Sequence, residues 1–431
     1  MEYLQTLNYI HGRPRSIAAA PTLARIRDLM ARLGNPQNSL KYVHIAGTNG
    51  KGSVAAMTAS VLRSAGYKVG MFTSPYLEDF RERIQVNGQM IPEDDLCAIT
   101  EKVKLAEDGR IAENLDPVNE FELVTAVAFV FFASVGCDLV VLETGLGGMH
   151  DPTNVILPPE VAVITHIAKD HTAILGSDIE TIAGQKAGII KSGSAVVVAP
   201  NEPEVIEVMA KACAEQGIEP ALVKTEDYSC CSISSEGCSF TDKDGLTLCC
   251  SLLGRHQLTN AMTVYAALTA LKQRGFEISD MAMQQGFVSA KWPGRLELMS
   301  SSPVVLLDAA HNPDGASALA DALDSLFPGK KIVAVIGMMA DKEWKTCVDI
   351  LAPKFSTLIA SSSEMDRSLE PELLAQYASQ YCGCIPCKDL TTAIKRGFDT
   401  VSGDGLLLVC GSVIMAGQAR LILKNMLSDS E

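Results

Sequence analysis

The sequence predicts an α/β protein built from two doubly wound, mostly parallel sheets. Three observations carry this. Short, continuously apolar runs alternate with helix-length segments, the pattern of strands buried on both faces and covered by helices. A glycine-rich loop, Gly47-Thr48-Asn49-Gly50-Lys51-Gly52-Ser53, follows one such run at Tyr42 to Ala46 and precedes a helical pattern from about Val54 to Ser64. A second series of apolar runs begins at Val304, beyond a turn signal at Pro293-Gly294.

At 431 residues the chain is too long for one ordinary domain. We place one domain over 1–295 and a smaller one over 296–431. In the first, the runs 138–142, 161–164 and 194–198 read as buried strands. Residues 222–252 are rich in Ser, Cys, Asp and Gly and predict a small antiparallel excursion. Leu258 to Arg274 reads as a helix. In the second domain, strands are expected at 304–307, 332–336, 357–360 and 406–409.

Composition narrows the function. Apolar residues make up 47% of the chain, ample for sizeable cores. A net charge of −15 argues against a general nucleic-acid or anionic-membrane surface. It leaves room for an anionic small substrate in a locally basic pocket. The start, Met1-Glu2-Tyr3-Leu4-Gln5, lacks the pattern of a secretory signal, so a cytoplasmic protein is expected. The uncharged stretch from Leu123 to Cys137 falls short of the ~18 residues of a membrane span and reads as a buried helix.

Thirteen cysteines are then expected as reduced thiols. Cys382, Cys384 and Cys387 have a spacing that can begin a metal site, but no fourth ligand or second Cys-x-x-Cys pair accompanies them. Cys230, Cys231, Cys238, Cys249 and Cys250 fall in the expected antiparallel excursion. Ordinary thiols account for both groups.

The glycine loop has the layout of a phosphate cradle. Backbone N–H groups can approach phosphate oxygens, and a helix N-terminus favours negative charge. Lys51 can reach the β/γ-phosphates and Ser53 can ligate Mg²⁺. Two residues separate Gly47 from Gly50, so the loop is not a standard Walker A sequence.

Other polar residues sit at strand ends, where ligands bind in such sheets. Glu143 ends a buried run and opens Glu143-Thr-Gly-Leu-Gly-Gly148; it suits Mg²⁺, and a helix cap or surface charge is the plainer reading. His171 can complete a metal shell, although a lone histidine is more often structural. Lys186 lies in a small, apolar run, where burial can depress its pKa and make the amine reactive; a solvated helix lysine is the alternative. Asp308, His311 and Asn312 close the first strand of the second domain and can grip a nucleotide or simply cap a turn. Arg295 can neutralise charge on a transferring phosphate.

Together these segments resemble the Mur ligase superfamily, and within it the folylpolyglutamate synthase/dihydrofolate synthase family. The motifs are GTNGKGS at 47–53, TSPYL at 73–77, ETGLGG at 143–148 and DPTN at 151–154. They continue with DHT and LG around His171, QKAGIIK at 185–191, GRHQLTNA at 254–261, WPGRLE at 292–297 and DAAHNP at 308–313.

The resemblance implies a P-loop Mur-ligase-like ATPase domain followed by a smaller Rossmann-like domain. It implies an ATP-dependent amide ligase that adds L-glutamate to a folate carboxylate, or to dihydropteroate, through an acyl phosphate. It places Gly47 to Ser53, Asn260, Arg295, Asp308 and His311 at ATP. Ser53, Ser74, Glu143, His171 and Lys186 fall at two Mg²⁺ ions, with Lys186 carbamylated. Phe121 and Asp151 fall near the pterin. Lys51, Lys186, His171, Arg295 and His311 are the expected catalytic set. The partners implied are small molecules, with no nucleic acid or membrane, and the chain is expected to act as a monomer.

Thr144, Met149, Tyr76 and Gln185 depart from the family pattern, chiefly near the expected substrate. Another Mur-type amino-acid ligase acting on a different acid is therefore one alternative. Only 46 residues precede Gly47, which sets the expectation that no UDP-binding domain stands before the loop. A P-loop GTPase-like switch is a further alternative. Asp242-Lys-Asp-Gly245 fits its DxxG form, but no Asn-Lys-x-Asp signature is present.

Overall fold

The computed structural model describes residues 1–14, 22–363, 365 and 367–428. An eight-stranded sheet comprises β1 (Tyr42–Ala46), β2 (Val69–Phe72), β3 (Ile84–Val86), β4 (Gln89–Met90), β5 (Leu139–Glu143), β6 (Val161–Ile164), β7 (Ala195–Val198) and β8 (Ala221–Leu222). Their order is β4-β3-β2-β5-β1-β6-β7-β8. The strands from β2 to β8 in this order run parallel, while β3 and β4 add an antiparallel edge. β1 is central, and the chain departs to both sides of it. Its C-terminal end is therefore a switch point, where crossing connections leave a crevice.

A three-stranded antiparallel sheet, β9 (Ser229–Ser234), β10 (Gly237–Thr241) and β11 (Thr247–Cys250), packs Phe240, Leu248 and Cys250 onto the same core as Met57 and Val61. It occupies the expected antiparallel region. The other sheet contains β12 (Glu297–Ser301), β13 (Val304–Leu307), β14 (Ile332–Ile336), β15 (Thr357–Ala360), β16 (Gly383–Pro386) and β17 (Leu406–Cys410). It runs in the order β12-β13-β17-β14-β15-β16, parallel except for the edge strand β12. The large mixed α/β architecture is as the sequence predicts.

The Leu123 to Cys137 stretch lies mostly in helix Glu120–Ser134. Asn119 caps it: its Oδ1 accepts from Glu122 N at 2.8 Å, and Glu122 Oε2 accepts from Asn119 N at 2.8 Å. Among the described residues no helix is long and apolar enough to cross a membrane. Cys382 and Cys384 have sulfurs 3.9 Å apart and pack towards one face of the second sheet, whereas Cys387 packs towards the other. The alternation of a strand thus splits the trio.

One buried chain of polar groups braces the switch point. His44 on β1 is fully buried, and burial, with Lys191's charge, pushes its pKa down to about 3. Its Nε2 lies 2.9 Å from Thr153 Oγ1, which donates to Asp151 Oδ1 at 2.5 Å. Asp151 also accepts from Thr153 N at 3.0 Å and Leu146 N at 2.8 Å. A neutral imidazole donating to Thr153 completes this polarity. The chain holds the 143–148 loop against β1. Thr153→Val removes the central hydroxyl and strands His44 without its partner; it should cost about 1–3 kcal/mol. Equilibrium unfolding in urea reads this, and an unchanged midpoint and slope would contradict it.

Candidate functional site

β1 ends at Ala46, and the chain then turns through the glycine loop into helix Lys51–Ser64. Gly50 has φ +89°, and a Cβ there would lie 2.5 Å from the Asn260 carboxamide oxygen. Only glycine meets both conditions. The loop is fixed from β6. Thr48 N and Asn49 N donate to His166 O at 2.8 and 3.1 Å, and Thr165 Oγ1 donates to Asn49 O at 2.8 Å. The first N–H groups of the helix have no partner within the helix and face a cavity of about 460 Å³.

Two lysines converge on one carbonyl. Lys51 Nζ donates to Gly47 O at 3.1 Å and to Thr48 O at 3.1 Å. Lys186, in helix Ile179–Ala187, donates to Gly47 O at 2.7 Å. Lys186 is 4% exposed; burial first, then the charge of Lys51, lowers its pKa to about 7. It is a buried lysine, not a solvated one, and a large share of it carries no proton near neutrality.

Glu143, at the end of β5, is 4% exposed and its Oε2 accepts from Ser74 N at 3.0 Å. Burial raises its pKa, against the pull of Lys51 and Arg295. Ser53 Oγ accepts from Gln257 Nε2 at 3.1 Å, and Gln257 is in turn held by Asn260 Nδ2 at 3.0 Å. His171 stands at φ +51° just before helix Thr172–Leu175, with its pKa lowered by burial. Among the described residues no group of three or more His, Cys, Asp or Glu converges as a metal cluster. The oxygen-bearing set around Glu143 is of a different kind, with hydroxyls and a single carboxylate.

The second sheet closes the opposite wall. Asp308, at the end of β13, accepts from Leu296 N at 2.8 Å and Ala310 N at 2.7 Å, so it shapes the turn that presents His311. Arg295 and His311 line the cavity. Asn312 Nδ2 donates to Asn49 Oδ1 at 3.2 Å, and Asn49 Nδ2 donates to Asp314 Oδ2 at 2.6 Å. His166 Nε2 lies 3.1 Å from Asp314 Oδ1. Asp170 receives Lys342 Nζ at 2.7 Å and Asn312 Nδ2 at 3.2 Å. The glycine loop is therefore wired directly to the second sheet.

All the residues expected from sequence at ATP and metal, from Gly47 through His311, line this one cavity. Phe121 and Asp151 do not line it. Phe121 packs its ring against Gly145 and Phe72, and Asp151 holds Leu146 from behind. Gln257, Asp314 and Lys342 were not singled out by sequence. The GRHQLTNA segment carries a signal for Gln257; nothing local marks Asp314 or Lys342 as partners of the loop.

Residues 45–268 match the Mur ligase middle domain, and residues 294–413 match the Mur ligase glutamate ligase domain. A Bacillus subtilis dihydrofolate synthase/folylpolyglutamate synthase is 36% identical, covering 98% of this chain and 99% of its own length. The chain belongs to the folylpolyglutamate synthase/dihydrofolate synthase family of Mur ligases. A Mycobacterium tuberculosis folylpolyglutamate synthase complexed with ADP superposes on it with a TM-score of 0.89, at 33% identity and 98% coverage of both chains. An Escherichia coli structure in complex with DHPP and ADP gives a TM-score of 0.87 at 31% identity, covering 99% of each chain. The fold of this family member and that of its solved relatives agree over nearly the whole length.

The His166–Asp314 pair makes the junction of this ligase fold pH-sensitive. Its bond to Asp314 raises His166 above the usual 6.5, against burial. A raised folded-state pKa means that the stabilisation is complete below the unfolded value and disappears as pH climbs through the folded one. The gap in unfolding midpoint between the parent and Asp314→Asn should be wider at about pH 6 than at about pH 9. A gap independent of pH would contradict the pair's role.

Proposed function

We propose that this chain is an ATP-dependent ligase that joins L-glutamate to the carboxylate of a folate, and to dihydropteroate as well. One observation supports this above others: a phosphate loop, a buried low-pKa lysine and a strand-end carboxylate share a cavity whose far wall carries Arg295 and His311. The names and bound nucleotides of the relatives point the same way.

In this reading the N–H groups at the start of helix Lys51–Ser64, with Lys51, hold the phosphates of ATP. Arg295 adds positive charge where the γ-phosphoryl group moves to the substrate carboxylate. The resulting acyl phosphate is attacked by the glutamate amine. The tetrahedral intermediate then expels phosphate, the C–O bond breaks and an amide remains. Packing of the second sheet over the loop excludes water that would otherwise hydrolyse the acyl phosphate. Asn260 and His311 complete the nucleotide surface, and Asp308 fixes the turn that carries His311.

The site chemistry fits Mg²⁺. Ser53, Ser74, Glu143 and His171 offer hard or neutral donors beside the loop. Lys186 as an amine can add CO₂, giving a carbamate and releasing one proton, which turns a buried cation into an oxygen donor. Bound Mg²⁺ supplies charge neutralisation for the phosphates. Phe121 and Asp151 shape the pterin side from behind the 143–148 loop. The substrates are small molecules, and the chain is expected to handle them as a monomer.

The test is Mg²⁺-dependent ADP release from ATP and L-glutamate, with tetrahydrofolate, with dihydropteroate and with neither. Stimulation by both acids is the expected result. Stimulation by neither, in folded protein that binds ATP, would overturn the substrate assignment. Lys186→Ala should lower turnover by about 100-fold or more, and a short-chain carboxylate should restore part of it. A folded variant with parental turnover, or with no restoration, would contradict the carbamate.

A further inference from the structure

Helix Val413–Ser428 follows the last strand of the second sheet, yet it grips the loop after β2 that carries Ser74. Leu77 leaves the first sheet and packs against the core on the second sheet beside Met415, Ala416 and Ala419. Its carbonyl passes so close to Gly417 that a Cβ there would lie 1.8 Å from Leu77 O and 2.8 Å from its carbonyl carbon. Contact this close requires glycine, although alanine is the better residue for a helix interior. One turn on, Arg420 Nη1 reaches Glu78 Oε1 at 2.6 Å, and Lys424 Nζ reaches Glu78 Oε2 at 2.9 Å.

The same guanidinium holds a second segment. Arg420 Nε donates to both oxygens of Glu297 at 2.9 Å, and Glu297 Oε2 accepts from Gly294 N at 2.8 Å, next to Arg295. On the other side, the loop from Leu77 to Asp79 is stiffened by three N–H groups bonded to the Glu82 carboxylate, at 2.7, 3.0 and 2.9 Å. Ser74, at the head of that loop, bonds Glu143 Oε2 through its N–H. Glu78 is thus four residues along one loop from the N–H that bonds Glu143, and Glu297 bonds the residue next to Arg295.

We propose that Gly417 and Arg420 are positioning residues for the ligase reaction: they dock the Ser74–Glu78 loop and the Gly294–Glu297 segment onto one helix. This sets Glu143 and Arg295 on opposite walls in register. Neither residue touches the reacting atoms. The proposal rests on the ligase reading above, and a separate measurement keeps the two distinguishable. Arg420 is half-buried between two carboxylates, so its loss leaves Glu78 and Glu297 unneutralised as well as undocked.

The experiment compares Gly417→Ala, Arg420→Ala, Arg420→Lys and the exposed same-helix control Leu421→Ala. In folded protein, kcat for folate-stimulated ADP release should fall about 10- to 100-fold in Gly417→Ala and Arg420→Ala. The dissociation constant for ADP should stay within about twofold of the parent's, since the glycine loop is intact. Arg420→Lys should recover part of kcat, because it keeps the charge but not the fork. Leu421→Ala should match the parent. Hydrogen exchange at 74–80 should speed up in Gly417→Ala and Arg420→Ala whatever acid the enzyme uses, which separates this proposal from the substrate assignment. A Glu78→Ala/Arg420→Ala cycle should give a double loss no larger than the greater single loss. Parental kcat and parental exchange in both Gly417→Ala and Arg420→Ala would overturn the proposal, as would fully additive losses in the cycle.

Discussion

Two amines share one carbonyl oxygen. Lys51 and Lys186 both point at Gly47 O, and the rest of the site is arranged around this crowding of positive charge. A buried amine beside a second cation is costly as an ammonium ion. That cost lowers the pKa of Lys186 to about 7, against the opposing pull of Asp170 and Asp151. The outcome is a hollow in which Lys51, Lys186 and Arg295 stand among Glu143, Asp170, Asp308 and Asp314, in a protein of net charge −15. A polyphosphate suits such a hollow, and bulk charge says nothing about it.

The geometry around that hollow comes from both sheets. β1, β5 and β6 deliver Gly47, Glu143 and the Thr165–His166 brace from one side. β13 delivers Asp308 and the turn to His311 from the other. Asn49, Asn312, Asp314 and Asp170 join the two by direct hydrogen bonds. In a ligase these junction bonds have a chemical purpose. Phosphoryl transfer depends on aligned groups rather than on reactive ones, and the acyl phosphate it makes must be kept from water.

Much of this was legible in the sequence because it is local. Strand, glycine loop and helix are contiguous at 42–64, and Glu143 and Asp308 each follow an apolar run. The residues that the motif set assigned to ATP and metal also prove to line one cavity. What escaped was short or non-local. β2, β12 and β16 are brief and interrupted by Gly, Ser or Cys, so they lack a readable period; their strand state comes from neighbours. Lys186 read equally well as a surface lysine, because nothing in Gly184-Gln-Lys-Ala-Gly188 reveals that Gly47 lies opposite. Asp314, Lys342 and Arg420 are ordinary helix or loop charges until the second sheet is placed. Gly417 has no local reason to be glycine inside a helix, and only the approach of Leu77 O supplies one.

The central claim is that this cavity activates a carboxylate by moving a phosphoryl group onto it. Oxygen-18 tests that claim directly. The folate substrate would be prepared with both oxygens of the reacting carboxylate labelled, and the phosphate released in one turnover would be analysed by mass spectrometry. An acyl phosphate requires one labelled oxygen to leave with phosphate and the other to remain in the amide. Unlabelled phosphate, formed together with the amide product, would contradict the account.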